Sequence, residues 1–525
     1  MDATRTAVPV QALGATWRAG DFTLEPVTAE IGGGTLVAII GPSGAGKSTL
    51  VELLAGVRTP TEGRVNTPTE VGLVPQDDIV HRYLPLRRTL SYAARLRGRT
   101  DPAAVDQVLD MVGLAHRASA IVSTLSGGER KRASIAVELL AQPEVLFLDE
   151  PTSGLDPATG RELLRQLASL TEAGHTVVFT THNPGDISWC DEILVLDHGR
   201  LAFAGMPADA LDHFGVTNAE DIYTRLDERQ WTPQPIQPTP VEPRPRRREV
   251  SAVRQCWLLT CRAIELLVRN RITLAILLGS PIMIALMFLM LFSPGAFDPD
   301  DPSPNTTVMI LFWIAFGGFF FGLTYGLAQI CDEFAILRRE RFAGLRLLPY
   351  LLSKVVGLLP LLFLVDALLL GLLSVTDRLP ELTLRANMAM FGTVILASVC
   401  ALTLGLLAAA SVRSPSQAAL TLPMLCFPQV LFVGAFLPVP VMAEVGRWFS
   451  YAMSNRWAFE ALGRTVDLPS LWLDGGSSLG PPLLASYGDS FDHPVWTNWL
   501  LLAGFAVAFA GATLLVLRRK MGPAR

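Results

Sequence analysis

The chain has 525 residues, of which 50% are hydrophobic and 17% charged, with a formal net charge of −5. That length accommodates two or three domains, and a slightly acidic chain without a basic, aromatic-laced surface gives no case for nucleic-acid binding. The mean hydropathy of +0.38 is high for a soluble protein and comes from a change of character near residue 250. Before that point the sequence is mixed and polar; after it come long uncharged apolar runs.

The opening residues, MDATRTAVPVQALGATW, lack an apolar core, so no cleavable signal peptide is expected. Six cysteines, at 190, 256, 261, 331, 400 and 426, show no CxxC or metal-ligand spacing and predict inert thiols. An apolar strand, TLVAII, then runs into GPSGAGKS at 41–48, and STLVELLAG continues as a helix. The octet fits G-x-x-x-x-G-K-[ST], a loop whose backbone N–H groups wrap phosphates. The expected nucleotide-binding residues are therefore Gly41, Pro42, Ser43, Gly44, Ala45, Gly46, Lys47, Ser48 and Thr49. Lys47 should reach the β- and γ-phosphates, and Ser48 should place its hydroxyl on Mg²⁺.

Four further signals follow in order. Gln76 comes after the short apolar run GLVP. TLSGGERKR, at 124–132, places a serine and two glycines at the start of a predicted helix, a second build suited to holding an anion. VLFLDE, at 145–150, is an apolar strand ending in two carboxylates: Asp149 is placed to hold Mg²⁺, and Glu150 to polarise water as general base. Asp156 lies in SGLD, and His182 follows TVVFTT.

In this order the motifs resemble the ATP-binding cassette over most of residues 10–215. The resemblance implies that Gln76 is the Q-loop glutamine, with a place at the metal, and that Asp156 belongs to the D-loop. It implies that His182 is the switch histidine at the γ-phosphate, and that Ser126, Gly127 and Gly128 form the signature motif. In that family two cassettes pack head to tail, each ATP clamped between one chain's phosphate loop and the other's signature. One chain with one copy of each motif therefore implies a second cassette, and a copy of itself suffices. The family also stacks adenine on an aromatic ahead of the phosphate loop, here Trp17 or Phe22.

Residues 232–248, TPQPIQPTPVEPRPRRR, contain six prolines and read as an extended linker whose basic end suits anionic lipid heads. VSAVRQCWLLTCRAIELLVRNR is amphipathic and predicts a helix along the cytoplasmic interface. Six spans are then expected, about 272–292, 308–330, 350–374, 388–410, 418–437 and 496–517, each near or above the roughly 20 residues a bilayer requires. Arginines cluster before the first span and between the second and third (338, 339, 341 and 346), and RRK follows the sixth. The positive-inside rule then predicts both termini in the cytosol, with residues 438–495 external except for any re-entrant part. The resulting domain plan is a cassette at 1–231, a linker at 232–249 and a membrane domain at 250–525. The fold class expected is an α/β P-loop cassette followed by an all-α domain of six transmembrane helices.

This order, together with SGGERKRASIAVELLAQPEVLFLDEPTSGLDP and DEFAILRRERFAGLRLLPYLLSK, is similar to the white/ABCG subfamily of half-transporters. Glu333, Glu340 and Lys354 fall where that subfamily has acid, acid and lysine in a cytoplasmic coupling stretch. The resemblance implies an ATP-driven exporter in the plasma membrane, bound to ATP and Mg²⁺ and working as a dimer on a hydrophobic or amphipathic compound. It points to the second and fifth spans as cavity walls, through Phe312, Phe316 and Phe320 on one and Phe427, Gln429 and Phe432 on the other. Asp366, in LLFLVDALLLG, is an ionisable residue at depth and is expected to face a wet cavity. Alternatives are a membrane-anchored ATPase that remodels the envelope and a polysaccharide exporter.

Overall fold

The computed structural model describes residues 9–20, 22–228 and 250–521. The Pro/Arg-rich linker and its basic end lie outside the described residues. The described residues divide into two compact units, those up to Ser251 with Arg339–Leu345, and Ala252–Arg338 with those from Arg346 onward.

Among the described residues, the first unit contains nine strands: β1 (Val10–Ala19), β2 (Phe22–Ile31), β3 (Leu36–Ile40), β4 (Glu62–Asn66), β5 (Val71–Val74), β6 (Val145–Leu148), β7 (Thr176–Thr180), β8 (Glu192–Asp197) and β9 (Arg200–Gly205). They form a three-stranded antiparallel sheet, β2-β1-β4, and a six-stranded sheet, β5-β6-β7-β3-β8-β9. In the larger sheet β5, β6, β7, β3 and β8 are parallel, and β9 pairs antiparallel at the edge. LVAII, VLFL and TVVFT are buried at every position, because helices cover one face while the smaller sheet and the helix Lys47–Leu54 cover the other, leaving no solvent side to alternate toward. Leu36, Ala38 and Ile40 enter one core while Val37 and Ile39 enter the other, the period of two that a strand imposes. Since β3, β6 and β7 run the same way, the loops after all three open at one edge. This places the phosphate loop, Asp149-Glu150 and His182 together.

The second unit is helical. Among the described residues, five helices are long and apolar enough to cross a membrane: Arg271–Leu291, Pro304–Leu327, Leu347–Val375, Leu384–Ser411 and Val495–Met521. The fifth expected span, at 418–437, is a correction. It forms a helix of only 17 residues, Pro415–Leu431, with Pro423 and Pro428 inside it. At 1.5 Å per residue such a helix covers about 25 Å, short of the roughly 30 Å hydrocarbon core. Residues 438–495 are not a plain loop but hold four helices. One of them, Ser454–Thr465, is buried along most of its length. The amphipathic segment ahead of the first span is helical over Ala252–Arg269.

The tightest crossing joins the second and fourth of these apolar helices. Gly318, Gly322 and Gly326 recur every four residues, and a Cβ at Gly322 would lie 1.9 Å from the Ser398 carbonyl oxygen. Helices in lipid gain nothing from apolar burial, so close backbone approach through small residues is what holds such a pair. Asp366 sits in this packing, fully buried, rather than in a wet cavity. Ser398 Oγ lies 2.8 Å from its Oδ2 and 3.0 Å from the Gly318 carbonyl, so the acid is held within packed helices. Gln429 is likewise buried: its Oε1 accepts from Asn455 N at 2.9 Å. Phe312 is fully buried, Phe316, Phe320 and Phe432 are half-buried, and Phe427 is 66% exposed.

Gly322→Ala should lower the thermal unfolding midpoint and the yield of detergent-solubilised protein, since overpacking of this kind costs about 1–3 kcal/mol or more. Gly371→Ala, in a helix with open space around it, should leave both unchanged. Equal behaviour of the two variants in a melting assay would contradict the close crossing.

Candidate functional site

The phosphate loop leaves β3 at Gly41, where φ is +147° and a Cβ would lie 2.1 Å from the Leu196 carbonyl oxygen. Only glycine fits both conditions. Gly44 (φ +80°) and Gly46 (φ +99°) continue the left-handed turns that aim backbone N–H groups inward. Ser43 and Gly44 are exposed, Pro42 is half-buried, and Ala45 packs into the core beneath them. The helix Lys47–Leu54 then begins, with Lys47, Ser48 and Thr49 in its first turn. Lys47 Nζ donates to the carbonyls of Gly41 at 2.7 Å and Pro42 at 3.0 Å. Burial pushes the Lys47 ammonium below its usual range, opposed by the charges of Glu150 and Asp149. The loop's cation thus faces the paired carboxylates.

Asp149 Oδ1 accepts from Ser48 Oγ at 3.0 Å and from Thr180 Oγ1 at 2.7 Å. Thr180 ends β7 and its Oγ1 also accepts from Glu150 N at 2.7 Å. Glu150 itself has φ +45°, an uncommon conformation for a residue with a side chain. The turn directs its Oε2 to Gln76 Nε2 at 3.1 Å and to within 3.8 Å of His182 Nδ1. Lys47, Ser48, Gln76, Asp149, Glu150 and His182 are therefore one connected group. Ser48, Asp149 and the Gln76 side-chain carbonyl supply oxygens, the donor type that suits a hard cation such as Mg²⁺.

Ser126, Gly127, Gly128 and Asp156 form a second group. Ser126 caps the 13-residue helix Gly127–Leu139: its Oγ accepts from Glu129 N, and Glu129 Oε2 accepts from Ser126 N at 2.8 Å. That N–H bond chiefly, with the neighbouring Arg117 and Arg132 adding to it, lowers the Glu129 carboxyl below its ordinary range. Asp156 caps the helix Pro157–Glu172 by accepting from Ala158 N and Thr159 N, each at 3.0 Å. Gly128 packs on Thr159, whose Cγ2 would be 2.6 Å from any Cβ there. Among the described residues no hydrogen bond or ion pair joins this second group directly to the phosphate loop. The tie runs through Lys131, whose Nζ donates to the Gln76 carbonyl at 2.6 Å.

Trp17 is half-buried, with the Arg58 guanidinium 4.2 Å from its ring centroid. Phe22 is half-buried too and its ring tip lies against Gly46. Sequence reasoning missed Thr180, Lys131 and Asp186, the last a buried carboxylate four residues beyond His182. A threonine closing a strand and a lysine in a basic helix carry no pattern of their own. Their partners lie 31 and 55 residues away.

Comparison with known proteins agrees with this geometry. The ABC transporter family model matches residues 24–153 and the ABC-2 type transporter model residues 254–464. The ABC transporter ATP-binding/permease protein Rv1747 of Mycobacterium tuberculosis is 31% identical over 95% of this chain, which spans 62% of that protein's length. ABC transporter G family member 7 of Arabidopsis thaliana is 28% identical, covering 84% of this chain and 70% of its own. The broad substrate specificity transporter ABCG2 of Bos taurus is 38% identical over 34% of this chain and 31% of its own. A P-loop cassette ahead of several apolar helices defines a multi-pass ABC protein, as both family models indicate. The chain carries an ABC transporter domain followed by an ABC-2 type transporter domain, and over most of its length it is similar to ABC ATP-binding/permease and ABCG-type proteins.

The two aromatics can be separated by ligand choice. Trp17→Ala should weaken ATP roughly 2–10-fold, the size of one aromatic stacking contact, and leave tripolyphosphate binding unchanged. Phe22→Ala should weaken both, through the loop. Calorimetric titration of the two ligands checks it, and the converse pattern would assign the stacking role to Phe22.

Proposed function

We propose that the chain hydrolyses ATP with Mg²⁺ and uses the energy to export a hydrophobic or amphipathic compound, lipids included, across the plasma membrane as a dimer. The observation that carries the hydrolytic part is the shared position of Glu150 Oε2, between the Gln76 amide and the His182 ring. A carboxylate so placed can take a proton from water while Gln76 and His182 keep it oriented. Lys47 exchanges loop carbonyls for phosphate oxygens, and the glycine-lined loop donates N–H groups to the same phosphates. Mg²⁺, when bound through Ser48, Gln76 and Asp149, would neutralise charge on the β- and γ-phosphates.

Dimerisation completes the second cradle. Ser126, Gly127 and Gly128 stand at the positive end of a helix yet, among the described residues, make no bond to their own phosphate loop, which suits a phosphate brought by a second copy. On the membrane side, Leu420, Met424, Phe427 and Leu431 form an exposed stripe at helical spacing, which suits a wall shared with a partner. Arg339, from the stretch between the second and third spans, bonds to the Ile79 carbonyl and lies 3.6 Å from Glu138. It thereby touches the segment after Gln76 and the last turn of the signature helix, which supports a coupling role for that stretch. The basic residues flanking the spans support cytosolic termini. Transport of labelled lipid or amphiphile into inside-out vesicles holding the purified protein tests the export reading; ATP turnover without transport would favour an envelope-remodelling ATPase.

Glu150→Gln should bind ATP normally and turn over about 10²–10⁴-fold more slowly, the usual loss with a general base. Near-normal steady-state phosphate release would remove Glu150 from that role.

A mixed dimer tests the shared site. One chain carries Ser126→Arg and the other Lys47→Ala, which concentrates both faults in one of the two composite sites and leaves the other intact. Nucleotide trapping should return to about one site per dimer, against none in either parent homodimer. Isolated mixed dimers that trap no more than the parents would argue against head-to-tail pairing.

A further inference from the structure

His182 has a side chain 63% exposed, so packing does not hold its ring. Its place depends on its backbone, and that backbone is fixed by a buried acid to which the mechanism above gives no task. Asp186 lies in the turn Pro184–Trp189 and is 5% exposed. Its Oδ2 accepts from Thr181 Oγ1 at 2.7 Å and from Thr152 Oγ1 at 3.1 Å, and its Oδ1 accepts from Asn183 Nδ2 at 2.8 Å. Thr181 and Asn183 flank His182, and Asn183 N also donates to Thr181 Oγ1 at 3.0 Å. Thr152 stands two residues after Glu150 and four before Asp156.

We propose that Asp186 is a positioning residue for hydrolysis: it locks the loop of the switch histidine to the loop running from Glu150 toward Asp156, so that the two move as one. The chemistry of the bonds singles out a carboxylate. All three contacts are donors converging on one group, and an ionised carboxylate accepts from every side. An amide would turn its own NH₂ toward Asn183 Nδ2, donor against donor. Asn183 cannot relieve this by flipping without giving up the bond from Gly185 N to its Oδ1 at 3.2 Å. Charged hydrogen bonds of this kind in a buried setting are the costly ones to lose.

The assignment rests on the role given to His182, and a mutant cycle separates the two. Full-length chains in nanodiscs carrying Asp186→Asn, His182→Ala or both are assayed for ATPase kcat and KM. ATP binding is read separately in a Glu150→Gln background. Asp186→Asn should lower kcat about tenfold, the size of one charged hydrogen bond, with KM and ATP stoichiometry changed less than about twofold. On top of His182→Ala it should cost less than about twofold more, since groups acting through one another are not additive. Thr152→Val removes one bond without touching the acid. It should give a smaller loss, about threefold, that is likewise absorbed by His182→Ala. Additive losses, or kcat and ATP stoichiometry falling together in both Asp186→Asn and Thr152→Val, would overturn the proposal. An impaired His182→Ala chain beside a normal Asp186→Asn chain overturns this assignment alone; an unimpaired His182→Ala chain overturns it together with the switch role.

Discussion

Two hydroxyls meeting on one carboxylate oxygen set the geometry of the cassette. Ser48 comes from the helix after the phosphate loop, Thr180 from the end of β7, and both donate to Asp149 Oδ1. That meeting is possible because β3, β6 and β7 are parallel neighbours and release their loops at the same edge. Everything else at the site is hung from this knot. Thr180 passes a second contact to Glu150 N, which stabilises an otherwise unfavourable backbone turn and sends the Glu150 side chain toward Gln76 and His182.

The signature glycines obey the same physics in another setting. Their helix is closed by a reciprocal Ser126–Glu129 cap, so the serine stabilises its own helix before any nucleotide arrives. Lys131 then connects this helix to the Gln76 backbone, and Arg97 grips Glu138 near the helix's other end with two bonds of 3.0 Å. A helix held at both ends is a stiff support, which is what the cradle proposed for a second chain needs.

In the membrane unit the ordering principle changes. Backbone approach replaces apolar burial, and polar groups at depth are permitted where they find partners. Asp366 meets Ser398, Gln429 meets Asn455, and Trp472 Nε1 donates to Thr307 Oγ1 at 3.2 Å. Arg378 bonds the carbonyls of Phe292 at 3.0 Å and Leu289 at 3.1 Å, satisfying acceptors that the end of the first spanning helix leaves open. Polar residues that hydropathy alone marks as costly are here structural connections.

Much of this was legible in the primary structure, for a definite reason. The phosphate loop, Asp149, Glu150 and His182 each follow directly on a strand of unbroken apolar residues, so local pattern fixes both the element and the residue at its end. The apolar helices declare themselves in the same local way, by length and composition. Hydropathy failed at the fifth expected span because an average does not register Pro423, Pro428 or the helix stop at Leu431. Thr180, Lys131 and Asp186 were invisible because their value lies in contacts with loops tens of residues distant, such as the 34 between Thr152 and Asp186. So too were the burial of Asp366 and Phe312, which depends on which neighbouring helix covers them. The strands, the long apolar helices, their order and the residues at the strand ends could be read from the primary structure, because they follow from neighbours along the chain. Which side chains share a hydrogen bond, a packing face or a backbone approach, and how residues 438–495 fold, emerged with the fold, because these follow from neighbours in space.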